Sequence, residues 1–291
     1  MSIMHDIFFF TDIHGMYDLY RAIMDYCIEQ DPECVIIFGG DACDRGKDGY
    51  KIMKELLVNP RVIYLKGNHE DIFVKAAKEI KKHFKFTDMT REEIIDELGL
   101  TLYDMDEFPY TSNSIYNGGL NTLTDWVCDG MSMDFVEEID NLQYTASYND
   151  IDMCHAGGIY RVFKEVQAAE YNNEKISEAN KDFILWDRGA LEYGWSPERT
   201  CIFGHTPVIY LSTKYYGKDK SLANAHPCAY IGNFNDKHNG RKIDMDTCAC
   251  GNGLAYVINI NTLKAQGFQD TEYLNDEIHK HEIKKINCIQ M

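Results

Sequence analysis

The first third of the chain alternates two hydrophobic rhythms. Ile7-Phe8-Phe9-Phe10, Val35-Ile36-Ile37-Phe38 and Val62-Ile63-Tyr64-Leu65 are unbroken apolar runs, the pattern of strands buried on both faces. Between them Tyr20, Ile23, Met24, Cys27 and Ile28, then Ile52, Met53, Leu56 and Leu57, recur at helical spacing, and Asn59-Pro60 stops the second helix. A third helix follows Gly67, with Phe73, Ala77, Ile80 and Phe84 on one face and Lys75, Lys78, Lys82 and Lys85 on the other, read as a solvated face. Apolar strands joined by helices predict an α/β fold with crossovers. From about 87 to 149 the alternation stops. This acidic, tyrosine-rich stretch predicts helices at 90–98 and around 120–127 and reads as an insertion over one end of the sheet. Strand signals return at Ile151–Cys154, Cys201–Phe203 and Ala255–Ile260, while 212–240 is polar and turn-rich and reads as a long loop. There is no internal repeat. The 291 residues suit a single domain over 1–291, with the insertion at about 87–149 inside it.

Ligands of open α/β sheets bind beyond the carboxyl ends of the strands, so the polar segments that follow the apolar runs carry the interest. They are Thr11-Asp12-Ile13-His14-Gly15, Gly40-Asp41-Ala42-Cys43-Asp44-Arg45-Gly46, Gly67-Asn68-His69-Glu70, His155-Ala156-Gly157 and Gly204-His205-Thr206. Asp12 and His14 are two apart, so on an extended segment they face one side. With Asp41, Asn68, His155 and His205 they form a mixed nitrogen and oxygen donor set, suited to manganese, iron or zinc rather than calcium. Six ligands exceed one open metal site. They fit two metals about 3.5–4 Å apart that share a carboxylate.

Composition narrows the field. Lys and Arg number 29 against 47 Asp and Glu, a formal charge of −18, which argues against a binder of duplex nucleic acid. No apolar run approaches the roughly 18–20 residues of a spanning helix, and the N-terminus has no basic segment of a secretory leader, so no membrane partner is expected. Ten scattered cysteines without a CxxC pair read as reduced thiols of a cytoplasmic protein. Cys34, Cys154 and Cys201 lie in apolar runs and are expected to be buried. Cys43 reads as a neutral filler. His226, Cys228, His238, Cys248 and Cys250 are spaced too irregularly to be read as a zinc clip. His5, His83, His279 and His281 are expected at the surface, and Tyr103, Tyr110 and Tyr116 are expected to pack in or line the insertion, with substrate recognition as the alternative.

The motifs TDIHG, GDACDRG, GNHE, HAG and GHT, in this order from Asp12 to His205, resemble the phosphoprotein phosphatase (PPP) family of calcineurin-like metallophosphoesterases. Asp246-Thr247 resembles a later family segment. Asn117-Gly118-Gly119 with Thr122-Leu123, and Leu185-Trp186-Asp187-Arg188-Gly189, resemble the bacterial and phage-type serine/threonine protein phosphatases. The resemblance implies a central β-sandwich flanked by helices, with the insertion near the active site. It implies one metal held by Asp12, His14 and Asp41, and a second by Asp41, Asn68, His155 and His205, with Asp41 bridging and manganese the first choice. Arg45 and Arg188 would clamp phosphate, with Asn68 beside them on the substrate. His69 would protonate the leaving oxygen or orient the nucleophile, and Asp44 would pair with it. Two departures stand out. Thr11 replaces a glycine before Asp12, which bears on the turn, and Cys248 replaces a glycine after Asp246-Thr247.

The chemistry agrees with that assignment. A hydroxide held between two metals is a nucleophile at neutral pH, guanidinium forks match phosphoryl oxygens, and an imidazole held by a carboxylate can protonate an alkoxide. The expected activity is hydrolysis of phosphate monoesters, first on phosphoserine and phosphothreonine in proteins, with small phosphoesters as further substrates. The alternative is a symmetrical diadenosine tetraphosphatase-like hydrolase of dinucleoside polyphosphates. A phosphate-binding protein without turnover is disfavoured by the complete set of ligands, His69 and both arginines.

Overall fold

The computed structural model describes residues 5–190, 192–210, 228–231, 239–273 and 281–291. The three apolar runs form β1 (Ile7–Phe10), β2 (Val35–Phe38) and β3 (Val62–Tyr64), parallel and in the order predicted for crossover units, joined by α1 (Tyr17–Gln30) and α2 (Gly49–Val58). The third helix, α3, begins at Asn68 and runs to His83. Residues 87–149 contain α4 (Arg91–Leu100), α5 (Pro109–Tyr116), α6 (Leu120–Cys128) and α7 (Met133–Asp140). Sequence periodicity located α4 and α6 and passed over α5 and α7. The stretch closes with β4 (Thr145–Tyr148), which pairs antiparallel with β5 (Ile151–Cys154) and so belongs to a sheet.

Next come α8 (Tyr160–Asn172), α9 (Glu178–Trp186), β6 (Trp195–Phe203), β7 (Cys228–Ile231), β8 (Asn239–Asp244), β9 (Leu254–Asn259), β10 (Lys264–Asp270) and β11 (Ile283–Gln290). The loop expected over 212–240 is thus interrupted by strand at 228–231 and ends in β8. The rest of it lies outside the described residues, as do His226, His238 and His279.

Two sheets result, ordered β11-β10-β9-β1-β2-β3 and β4-β5-β6-β8-β7. Alternation along β1 shows how they stack. Ile7 and Phe9 join Ile37, Ile151, Met153, Ile202, Ile243 and Ile258 in a cluster between the sheets. Phe8 and Phe10 point the other way, into a core with α1, α2, α3, α6 and α7. On the far side, Cys154, Cys201 and Phe203 pack with Phe163, Val166, Ile184 and Leu185 of α8 and α9. The layers run helix, sheet, sheet, helix, which is the expected β-sandwich flanked by helices. Cys34, Cys154 and Cys201 are buried as expected. Lys75, Lys78, Lys82 and Lys85 lie at the surface or half-exposed, and Lys75 and Lys78 pair with Asp71 and Asp140. Tyr103, Tyr110 and Tyr116, expected to pack in or line the insertion, are instead exposed on it. Among the described residues no helix is long and apolar enough to cross a membrane.

Candidate metal centre

The strand-end segments meet at one edge of the sandwich. Their backbones zip together: Asp12 N–H donates to Gly40 O (3.0 Å), His14 N–H to Asp41 O (3.0 Å), Gly15 N–H to Ala42 O (2.8 Å) and Gly46 N–H to His14 O (3.0 Å). Asp12, His14, Asp41, Asp44, Arg45 and His205 all take left-handed backbone, with φ between 43° and 70°. This corrects the extended segment expected for Asp12 and His14. The strand ends at Phe10, and tight left-handed turns aim both side chains. Such backbone costs roughly 1–2 kcal/mol per residue and persists only where the surroundings fix it.

Glu70 is a large part of what fixes it. The side chain is fully buried, and one carboxylate oxygen accepts from Asp41 N–H (2.9 Å) and Gly67 N–H (2.8 Å). The other accepts from Ala42 N–H (2.8 Å) and the Tyr64 hydroxyl (2.8 Å). Burial, then the Asp41 carboxylate, push Glu70 up, and the N–H donors pull against them. The motif GNHE held this residue in plain view, yet its role as a staple between two loops was not read from the sequence. A Cβ on Gly67 would fall on the Asp41 carboxylate, so only glycine lets α3 start this close.

Asp41 stands at the middle. One of its oxygens is 3.4 Å from His155 Nε2 and accepts from His69 N–H (3.0 Å), and the other is 3.5 Å from His14 Nε2. Asn68 Oδ1 lies 2.9 Å from both His155 Nε2 and His205 Nδ1. Two groups of candidate ligands result, His14–Asp41–His69 and Asp41–His155–His205, each with its atoms within 4.8 Å and both sharing Asp41. Asp12 falls in neither group. Its carboxylate accepts from His205 N–H (3.1 Å) and lies 2.7 Å from the Thr11 hydroxyl, the substituent that replaces the expected glycine.

The donor set fits cations. His14 Nδ1–H donates to Cys43 O (2.9 Å) and His155 Nδ1–H to Gly39 O (2.9 Å). Burial, the leading cause, pushes His14, His155 and His205 down. Each Nε2 of His14 and His155 therefore presents a lone pair to a carboxylate oxygen, and for His155 also to an amide oxygen. At His14 an Arg45 N–H meets that lone pair; around His155 the lone pairs of Nε2, Asp41 and Asn68 converge without a proton between them, which calls for positive charge. Burial would raise Asp41, but the four imidazoles, His155 first, outweigh it and hold it ionised. Burial, then Asp246 and Asp41, push Asp12 well up, and Asp246 itself is pushed up to about 7, chiefly by burial. A cation would relieve this crowd of carboxylates.

Around the ligands sit the groups expected to act on substrate. His69 Nδ1–H donates to Asp44 Oδ2 at 2.7 Å, and both side chains are buried. Burial lowers His69, but Asp41 and Asp44 outweigh it and raise the imidazole. The exposed Arg45 guanidinium reaches His14 Nε2 (2.8 Å) and His69 Nε2 (3.2 Å). Arg188, also exposed, donates to His205 O (3.3 Å), and the Trp186 ring stands edge-on 6.0 Å from the His205 ring. The Arg188 loop is tied down by a residue not anticipated. Lys242, buried in β8, donates to Gly158 O (2.7 Å) and Ala190 O. Every expected site residue is thus at this edge, with the two arginines at its mouth. Cys43 stays a neutral filler, its thiol raised by burial. Of the irregular cysteine and histidine set, Cys248 and Cys250 lie together beside Arg45, and the side chain of Cys228 is outside the described residues.

No curated protein matches the chain. Solved structures resemble it at low identity. A candidate diadenosine tetraphosphatase is 11% identical over 98% of this chain and 94% of its own, with a TM-score of 0.46. A cold-active protein tyrosine phosphatase is 14% identical over 91% and 76%, with a TM-score of 0.48. A protein serine/threonine phosphatase from Saccharomyces cerevisiae is 14% identical over 88% and 72%, with a TM-score of 0.43. None of these likenesses decides what this chain acts on. The family model for calcineurin-like phosphoesterases matches residues 5–209, a span that begins just before β1 and takes in every ligand from Asp12 to His205. The chain therefore belongs to the calcineurin-like phosphoesterase family and is a metal-dependent phosphoesterase.

Proposed function

We propose that the protein hydrolyses phosphate monoesters of serine and threonine in proteins. The observation that carries the reading is the buried Asp44–His69 pair at 2.7 Å, beside Arg45 and the two ligand groups that share Asp41. An alkyl phosphate expels an alkoxide, which needs a proton as it leaves. A dinucleoside polyphosphate expels a nucleoside phosphate, a far weaker base, which needs a proton far less. A carboxylate-held imidazole is thus better matched to the monoester. The motifs around Gly118 and Arg188, which resemble bacterial and phage-type protein phosphatases, favour the same substrate.

Asp12, His14 and Asp41 would hold one cation, and Asp41, Asn68, His155 and His205 the other. Manganese is our choice for a set of imidazole, carboxylate and amide oxygen. When bound, the two cations would supply Lewis-acid charge to the phosphoryl oxygens and a water ionised at neutral pH. Arg45, beside His14 and His69, and Arg188, at the His205 carbonyl, would grip the remaining phosphoryl oxygens, and Asp44 would fix the tautomer of His69 so that Nε2 faces the leaving oxygen. The cytoplasm, where thiols stay reduced, suits a chain whose nine described cysteine side chains are all unpaired.

The deciding experiment compares kcat/KM for a phosphothreonine peptide and for diadenosine tetraphosphate at one manganese concentration. A ratio above one supports the protein phosphatase. A ratio well below one moves the substrate to dinucleoside polyphosphates, with exposed Tyr116 and Trp186 as stacking surfaces for the bases.

A further inference from the structure

The segment between α5 and α6 makes contacts that neither metal binding nor phosphate binding requires. Asp44 and Arg45 are consecutive residues in left-handed backbone, φ 68° and 64°. Their two N–H groups both bond to the α5–α6 segment. Asp44 N–H donates to Thr122 Oγ1 (3.1 Å) at the start of α6, and Arg45 N–H donates to Gly118 O (2.9 Å) in the turn before it. The turn fits no other residue well. Gly118 has φ +91°, and a Cβ there would lie 2.9–3.1 Å from Arg45 N, Cα and Cγ. A Cβ on Gly119 would meet Ser114 Oγ and come within 3.1 Å of Asp44 Oδ1. Thr122 is itself buried, and a Cβ on Gly49 would come within 3.0 Å of its hydroxyl.

We propose that this α5–α6 elbow is a positioning element for the reaction, with Thr122 setting Asp44 and Gly118 setting Arg45. The inference rests on the reading of Asp44–His69 as the acid pair. A left-handed pair held only by its own loop could relax toward ordinary backbone. The elbow blocks that relaxation from outside. It keeps Asp44 Oδ2 on His69 Nδ1 and keeps Arg45 turned toward the ligand groups. The helices of 91–140 are then part of the catalytic apparatus, because the dyad is completed by a contact they supply.

The two halves of the elbow give separable tests in the manganese-loaded full chain. Thr122→Val keeps the shape and removes the hydroxyl. It should lower kcat on phosphoserine peptide by about 10–100-fold, in the range that an ångström of misplacement costs, and should lower kcat on p-nitrophenyl phosphate much less. Thr122→Ser should restore both. Gly118→Ala should weaken inhibition by inorganic phosphate, because it displaces Arg45, and metal content should stay at the parent level in all three. Equal losses of Thr122→Val on both substrates, or a drop in melting temperature with kcat intact, would overturn the positioning role and leave a structural one. His69→Asn is the control for the underlying reading. If it shows no leaving-group dependence, the acid pair itself is misassigned. If it does and Thr122→Val does not, the elbow alone is wrong. Should Thr122→Val not fold, Gly118→Ala decides, and phosphate inhibition equal to the parent overturns the proposal.

Discussion

Replacing Glu70 with glutamine is a nearly isosteric change whose cost can be worked from four hydrogen bonds. The carboxylate accepts from Asp41 N–H, Gly67 N–H, Ala42 N–H and the Tyr64 hydroxyl, all at 2.8–2.9 Å. Glutamine keeps one oxygen. Its amide nitrogen fits best where it faces Ala42 and Tyr64, since the tyrosine hydroxyl can turn and accept. One backbone N–H, that of Ala42, is then left buried without a partner, at about 1–3 kcal/mol. The remaining bonds lose their charge assistance, at roughly 1 kcal/mol each for the two backbone donors. The sum is roughly 3–5 kcal/mol, a large part of the ~5–15 kcal/mol that holds a typical fold. Urea unfolding of the chain in EDTA measures it without help from bound metal. Manganese titration of the same variant should show weaker binding, because Asp41 N–H anchors the turn that presents the Asp41 carboxylate to both ligand groups. A change under about 0.5 kcal/mol, the size of an ordinary surface substitution, would refute the staple.

Four other outcomes follow from the site. Chelation should abolish turnover and manganese should restore it better than calcium, which prefers six to eight oxygen ligands; activity in a chelated sample that metal analysis finds empty would sink the metal site. His69→Asn should cost roughly 10²–10⁴-fold in kcat on alkyl phosphates and less on aryl phosphates, and equal losses would remove the acid role. Arg188→Ala should raise the inhibition constant for inorganic phosphate at constant metal content, with poor rescue by lysine, which lacks the planar fork; parent-like inhibition would place Arg188 outside the phosphate site. The Cys250 thiol is pulled down to about 6, first by its hydrogen bond from Cys248 and, against burial, by Arg45. Thiolate is the nucleophile, so its alkylation by iodoacetamide should rise with pH through a midpoint near 6 and level off about one pH unit higher. A midpoint near the ordinary ~8.5, or an unchanged fast phase in Cys250→Ser, would contradict this.

The strand-end residues were legible because two signals coincide at them. Each follows an apolar run, and each pairs glycine with a group that binds metal or phosphate. What lay between the motifs was harder to read. In β8, Lys242 and Asp244 are both buried inside the run NGRKID. Charged residues within a strand erase the apolar pattern, and here tertiary partners override it: Lys242 finds the carbonyls of Gly158 and Ala190. The helix α7, MDFVEEID, buries only Phe135, Val136 and Ile139, too brief a periodicity to separate from a loop. Glu70 escaped for a different reason. A carboxylate at the start of a helix is ordinary capping chemistry, and nothing local shows that the same group also reaches the loop of Asp41 and Ala42. The α5–α6 elbow likewise joins residues more than seventy positions apart, a distance no periodicity spans.

The net charge of −18 and an anionic substrate are reconciled by where the charges sit. Asp12, Asp41, Asp244 and Asp246 are buried together near the strand ends. That crowding is unfavourable by itself: burial pushes Asp12, Asp244 and Asp246 up, and six non-glycine residues of the site are held in left-handed backbone. A fold keeps such a region only if the rest of the structure enforces it. Here the zipped strand-end turns, Glu70 and the α5–α6 elbow do so. The same crowding gives divalent cations their attraction, because each cation neutralises carboxylates that water cannot reach. With cations bound, the field met by an incoming phosphate would be set by them and, on the proposed reading, by Arg45 and Arg188, not by the acidic surface farther away, whose effect salt screens within about 8–10 Å. The carboxylates that make the metal-free site costly thereby prepare a locally positive one.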